Sequence, residues 1–171
     1  MRIRILNPQD AVACRSLRLR GLQESPTAFG SSYAQEAQKT DAEFVARVTP
    51  EADGSRCVFG AFVDDELTGM IGFVRPPQEK VRHWAELVGM YVAPEYRRRG
   101  VGRALMEAAI AHARSVEGVR QLKLSVNATN SGARQLYRSL GFECFGVEPD
   151  GLCVDGSYYD EESYVLRFGG A

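Results

Sequence analysis

Trp84 to Val92 reads WAELVGMYV, an almost unbroken apolar run whose one charge is Glu86. A run of this kind reads as a strand buried on both faces. The residues after it narrow the possible folds further. A short basic turn ends at Gly100, and from Val101 to about Ser115 the pattern becomes helical. Val101, Leu105 and Ala108 share one face, and Arg103, Glu107 and Arg114 lie on another. Leu122, Leu124 and Val126 then alternate as a strand. Ala133, Leu136, Tyr137 and Leu140 recur at helical spacing before Gly141, a natural helix stop. Strand, helix, strand, helix in that order implies a β-α-β crossover.

The first half of the chain supplies further layers. Arg2 to Ile5 alternates as a half-buried strand, and Asn7-Pro8 opens a helix running to about Leu22. Glu24-Ser25-Pro26 breaks it. Thr27 to Ser32 reads as a loop, and a second helix spans roughly Asp41 to Val48. Cys57–Val63 and Thr68–Val74 form a hairpin about Asp64-Asp65-Glu66. The chain ends in strands near Phe142–Val147 and Ser163–Phe168, with a polar loop between them carrying Glu148, Asp150 and Asp155. The sum is an α/β (α+β) fold, a mixed central β-sheet flanked by helices. Its expected order is strand, two helices, three strands, helix, strand, helix, two strands. No boundary interrupts the pattern, so residues 1–171 are expected to form a single domain.

Charge narrows the partners. A formal net charge of -1 excludes a surface that binds polyanions as a whole. Yet Arg97, Arg98, Arg99 and Arg103 crowd one segment, which suits a small phosphate-bearing ligand better than nucleic acid. The bland reading of that run is a solvated turn. The four cysteines, Cys14, Cys57, Cys144 and Cys153, form no C-x-x-C pair and sit near no histidine at ligand spacing. No metal is expected. Cys14, Cys57 and Cys144 read as core residues, Cys153 as exposed. His112 reads as a packed residue on the helix 101–115. A reducing cytoplasm fits best, with neither signal peptide nor membrane span.

The strand–turn–helix junction is an anion site on physical grounds. The first N–H groups of a helix lack intrahelical partners, and the helix dipole adds about half a positive charge there. Gly100 and Gly102 permit close approach. No lysine or hydroxyl residue follows Gly102, as a Walker loop requires, and Leu105 stands where the dinucleotide fingerprint wants glycine or alanine.

Arg97-Arg98-Arg99-Gly100-Val101-Gly102 resembles the Q/R-x-x-G-x-G/A turn of the GNAT acetyltransferases. Asn130-Ser131-Gly132-Ala133-Arg134-Gln135-Leu136-Tyr137 with Gly141-Phe142 resembles that family's N-x-x-A-x-x-L-Y…GF segment at the usual separation. These motifs cover about Glu86 to Phe142, and the order of elements extends the likeness over the chain. The resemblance implies an N-acetyltransferase using acetyl-CoA as cosubstrate. The turn Arg97–Arg103, with Arg98, Arg99, Gly100, Val101 and Gly102, would hold the pyrophosphate. The main chain at Met90, Tyr91 and Val92 would pair with the pantetheine arm and support the oxyanion, and a bulge at Gly89 would splay the strands. Asn130 would lie near the coenzyme arm. Phe29, Ser31 and Ser32 would border the acceptor pocket, and Asn127 would point toward the cleft.

Each residue also has a plainer reading. Tyr137 is a general acid for the departing thiolate, or a core tyrosine of an amphipathic helix. Glu86 is a general base raised by burial, or a strand-end partner of an arginine such as Arg82. Asn130 is a helix N-cap, a role compatible with the other. Glu148, Asp150 and Asp155 attract a cationic amine, or merely keep a loop soluble. The expected acceptor is a small-molecule or peptide amine, and a homodimer is left open. The alternative from another class is a non-catalytic acyl-CoA sensor, which needs the phosphate turn but neither acid nor base.

Overall fold

Side-chain caps set where most of the helices begin. In the computed structural model, which describes residues 1–169, Asn7 accepts from the Gln9 N–H and starts the turn Pro8–Asp10 that leads into α1, Ala11–Glu24. Ser32 with Gln35 makes a capping box for α2, Tyr33–Ala37, and Thr40 with Glu43 makes one for α3, Asp41–Val48. Asn130 accepts from the Ala133 N–H at 3.1 Å and opens α5, Ser131–Ser139. The helix α4, Val101–Ser115, starts differently. Its N-cap is Gly100, which offers no side chain and has φ 81.

Seven strands form one sheet, ordered β1-β2-β3-β4-β5-β7-β6. They are β1 Arg2–Ile5, β2 Arg56–Val63, β3 Glu66–Val74, β4 Trp84–Val92, β5 Gln121–Asn127, β6 Glu143–Val154 and β7 Ser157–Arg167. α4 and α5 pack on one face, where Leu105, Met106, Leu122 and Tyr164 are each 0% exposed. α1 and α3 cover the other face through Leu17, Phe44 and Val48 against Val58 and Phe62. Truncating a core side chain such as Leu105 to alanine costs about 2–5 kcal/mol. His112 packs between the Phe59 and Phe73 rings with Nε2 2.9 Å from the Gly54 carbonyl oxygen, the packed role its helical position suggested.

Two irregularities shape the middle of the sheet. β4 and β5 are parallel but pair only at Trp84–Gln121, Ala85–Leu122 and Glu86–Lys123, and then diverge. On the other edge of β4 the register with β3 jumps from Gly72–Val88 to Met70–Tyr91, so Gly89 and Met90 together oppose Ile71. This is a β-bulge, and Gly89 adopts φ 61 at it.

Four expectations are corrected. The expected polar loop at 148–155 is mostly strand, because β6 and β7 form a long two-stranded arm turning at Asp155-Gly156. Its outer part rises beyond the core, so both faces are solvated and carry polar residues. Cys144 is exposed because it lies on β6, the edge strand of the sheet, opposite buried Tyr164, whereas Cys14 and Cys57 are buried as expected and Cys153 is exposed. β4 is not buried on both faces, since Val88 is 39% exposed beside a cavity under α1 and α3. Finally, α2 adds a short helix just after the expected loop at 27–32.

Candidate functional site

Where β4 and β5 part, they open a cleft of about 890 Å³. Its apolar wall includes Met90, Val92, Leu124, Val126, Leu136 and Tyr137. Past Glu86 the β4 main chain has no β5 partner, so its polar groups on that edge are free to pair with an extended ligand.

The basic turn closes one end. Arg98 has φ 59 and Gly100 φ 81, two left-handed residues that roll the main chain toward the helix start. The first bond into α4 runs from the Ala104 N–H to the Gly100 carbonyl at 3.0 Å. The N–H groups of Val101, Gly102 and Arg103 precede it and are spare donors. A Cβ on Gly102 would come 3.0 Å from Met90 Cε and 3.5 Å from Leu136 Cδ2, so bulk there presses on the cleft wall. Arg97, Arg98, Gly100, Gly102 and Arg103 line the cleft. Arg97 folds back to donate to the Val92 carbonyl at 2.8 Å, and Arg103 donates to Ser139 Oγ at 2.7 Å. Arg99 turns to the Tyr96 ring instead, and the Val101 side chain is buried in the core, so Val101 can offer only its main chain.

Tyr137 stands on the cleft wall, buried against Phe142 and Tyr164, with its hydroxyl 3.8 Å from Met90 Sδ. Burial pushes its pKa up to about 12, so the phenol keeps its proton at neutral pH. Asn130 lines the cleft as well as capping α5. Asn127 is 3% exposed, and its Oδ1 accepts from the Thr129 N–H and hydroxyl. Its Nδ2 is buried on the cleft wall and finds no acceptor among the described residues. Opposite it in register is Glu161, whose carboxyl is raised by burial and then by Glu148.

Glu86 stands apart from the cleft. It shares a face of β4 with Val88 and pairs in register with Val74, both of which line a second cavity of about 440 Å³. Its pKa is raised by burial, with Lys123 opposing. Arg82 pairs with Asp53 at 3.5 Å and not with Glu86. The loop residues divide. Phe29 packs 6.3 Å from the Tyr91 ring, Ser31 Oγ accepts from Arg18 at 2.7 Å, and Ser32 caps α2. The loop meets the cleft through Pro26, Thr27 and Ala28 instead. Thr27, Ala28, Ser125 and Glu161 were not singled out in the sequence, where nothing separates them from ordinary loop and strand residues. Arg18 was missed too, although its place in α1 between apolar Leu17 and Leu19 offered a signal.

Acetyl-CoA fits these features. Spare N–H donors and arginines suit a pyrophosphate, the open edge of β4 suits an amide-bearing arm, and an unpartnered amide donor waits on the wall. Among the described residues no group of three or more His, Cys, Asp or Glu side chains gathers as for a metal, and no helix is long and apolar enough to cross a membrane.

A family model of the acetyltransferase (GNAT) family matches residues 20–142. A Mycobacterium leprae protein is 34% identical over 120 residues, 68% of this chain and 30% of that one. The [ribosomal protein bS18]-alanine N-acetyltransferase of Escherichia coli is 47% identical over 58 residues, 34% of this chain and 38% of that one. The chain thus spans about a third of the length of these curated relatives. Among solved structures, yncA from Salmonella typhimurium, determined with its cofactor acetyl-CoA, superposes with TM-score 0.83 at 21% identity, covering 100% of this chain and 95% of that one. An acetyltransferase of the GNAT family from Streptococcus pneumoniae gives TM-score 0.83 at 23% identity, covering 98% and 99%. At these identities the structural likeness concerns the fold, here the mixed sheet with helices on both faces.

Proposed function

The chain belongs to the GNAT acetyltransferase family, and from that premise we propose that it moves an acetyl group from acetyl-CoA to the nitrogen of an amine. The observation that carries this reading is the junction of two features in one cleft. An unpartnered stretch of β4 runs into a helix start with spare N–H donors. Bound acetyl-CoA would supply an acetyl group activated as a thioester.

The protein's own groups take the remaining roles. The N–H groups of Val101, Gly102 and Arg103, with Arg97, Arg98 and Arg103, hold the diphosphate. A main-chain N–H near Met90 or Tyr91, turned out by the bulge, supports negative charge on the acetyl oxygen during attack. The amine, arriving as ammonium, loses one proton before it attacks and a second as the N–C bond forms and the C–S bond breaks, and the departing sulfur gains one. Tyr137 holds the proton for the sulfur at its hydroxyl and takes up the second amine proton in its place. Because burial disfavours tyrosinate, its donation has to be coupled to the proton that the amine gives up. Glu86, apart from the cleft and with its pKa raised by burial, takes the first amine proton through water.

The test has two arms. CoA should raise the melting temperature, with a stabilisation of ~2.7 kcal/mol at a hundredfold excess over Kd. Gly102→Val should abolish that rise. Free thiol should then appear from acetyl-CoA only when an acceptor amine is added. A chain that CoA leaves unmoved refutes the cofactor assignment. A chain that binds CoA but releases thiol with no amine of a broad panel is the non-catalytic sensor.

A further inference from the structure

The second cavity lies under α1 and α3, against β2, β3 and β4, and holds about 440 Å³. Gly89, the bulge residue, lines both this cavity and the cleft, so the two meet at the point where β4 changes register. The cavity's floor is apolar, with Val58, Met70 and Val88 among its residues. Its charges are cationic. Arg18, Lys39, Arg47 and Arg56 line it, facing one acidic side chain, Glu43.

The balance of charge there is incomplete. Arg18, Lys39 and Arg47 all bind one carboxylate, that of Glu36, which is 1% exposed. Glu43 is occupied in the capping box of α3, and Arg56 makes a surface pair with Glu51. Arg18 itself is 9% exposed, stacked over the Phe29 ring with its centre 4.6 Å away. Its Nε faces Glu36 at 3.3 Å and one terminal nitrogen donates to Ser31 at 2.7 Å. The other terminal nitrogen, Nη1, lies 3.0 Å from where a Cβ on Gly89 would stand. A buried guanidinium next to a second arginine, with one terminal nitrogen turned toward a bulge, asks for an anion. Burial and then Arg47 lower its pKa, with Glu36 opposing. Cysteine chemistry does not explain the cavity, because burial pushes the Cys14 thiol up to about 11 and the Cys57 thiol up to about 12.

We propose that the acceptor is a small amine carrying a carboxylate, an amino-acid-like molecule whose anion is held by Arg18, with Lys39 and Arg47 around it, while its nitrogen reaches the cleft past Gly89. The proposal rests on the acetyltransferase reading for the fate of the nitrogen, but not for the binding of the anion. Arg18 is thus a specificity-determining residue, and Ser31, which accepts from it, positions it. The opposing arrangement, a cationic acceptor drawn by Glu148 and by Glu161, which lines the cleft, becomes an outcome of the test.

The experiment is a binding titration of the CoA-loaded chain with a panel of free amino acids, each against its own carboxamide, read by calorimetry or by thermal shift. At least one amino acid should bind about ten- to a hundredfold tighter than its amide, the worth of a charge-assisted hydrogen bond. Arg18→Met should erase that difference while leaving CoA affinity unchanged. Should that variant fail to fold, the comparison on the unaltered chain decides alone. Amides that bind as well as or better than the acids overturn the proposal, and so does a panel in which no amino acid binds. Thiol release measured on the same panel separates the two readings. Selective binding of acids without thiol release refutes the transferase and keeps the anion site. Thiol release with amides as good as acids does the reverse.

Discussion

At the scale of single residues, the contest is between packing and chemistry. Tyr137 illustrates it, because its surroundings suit either reading. Its ring packs on Phe142 and Tyr164, and its hydroxyl lies 3.8 Å from Met90 Sδ on the cleft wall. Tyr137→Phe keeps the ring contacts and removes the proton. Turnover is expected to fall ~10²–10⁴ with CoA affinity unchanged. Single-turnover measurement, where chemistry sets the rate, is the check, and an unchanged rate assigns the side chain to packing. Glu86 yields a pH test. Burial raises the pKa of its carboxyl, so a base role is open to it only above that elevated pKa. An amine with a lysine-like pKa of ~10.4 is mostly ammonium near neutrality and needs that base. Glu86→Gln is expected to lower turnover most between that elevated pKa and the pKa of the amine, with the defect shrinking at higher pH as free amine becomes abundant. A loss that is constant with pH, or a drop in melting temperature instead, makes Glu86 a structural residue.

Among the elements, the legibility of the sequence follows from how each one meets the core. β4, α4 and α5 were readable because they are governed by local rules: a run of apolar residues, a helical stripe, a glycine stop. The outer arm of β6 and β7 was not, because it buries little and its polar residues obey no core. The α2 segment is too short for a periodic signal. Its role is nonetheless visible in one residue, Glu36, which ties Arg18 of α1 to Arg47 of α3 and to Lys39 between the helices. Burial alone would raise this carboxyl. Hydrogen bonds from Lys39 and Arg47, with the charges of Arg47 and Arg18, hold it down to about 2. Its folded pKa therefore lies below the ordinary value of ~4.3. The stabilisation is complete above ~4.3 and is lost as pH falls toward the folded value. Glu36→Gln is expected to cost about 3 kcal/mol at neutral pH, the cost of breaking a buried pair. In denaturant titrations the gap between variant and parent should narrow below pH ~4. A gap that persists in acid would mean that shape, not charge, holds the three helices.

The molecule as a whole is organised around an interrupted sheet. A mixed sheet gains stability when neighbouring strands satisfy each other's main chains, yet β4 and β5 abandon their pairing after Glu86 and Lys123. The bulge at Gly89 and the glycine start of α4 keep the gap open, and apolar side chains line it. A ligand lying along β4 restores the missing partner. This predicts a pattern in hydrogen exchange, beyond a rise in melting temperature. Without CoA, amides of Met90–Val92 that face the gap, and those of Val101, Gly102 and Arg103, should exchange quickly. With CoA at a hundredfold excess over Kd they should slow by up to ~10². Amides near Met1 and Arg2, which exchange by local fraying at the sheet's edge, should not change. Gly102→Val should lose the protection at both sites together, because its side chain presses on Met90, the residue that joins turn and strand. Protection confined to the turn would leave the arm of the ligand off β4, and would send the search for the oxyanion support to another part of the cleft.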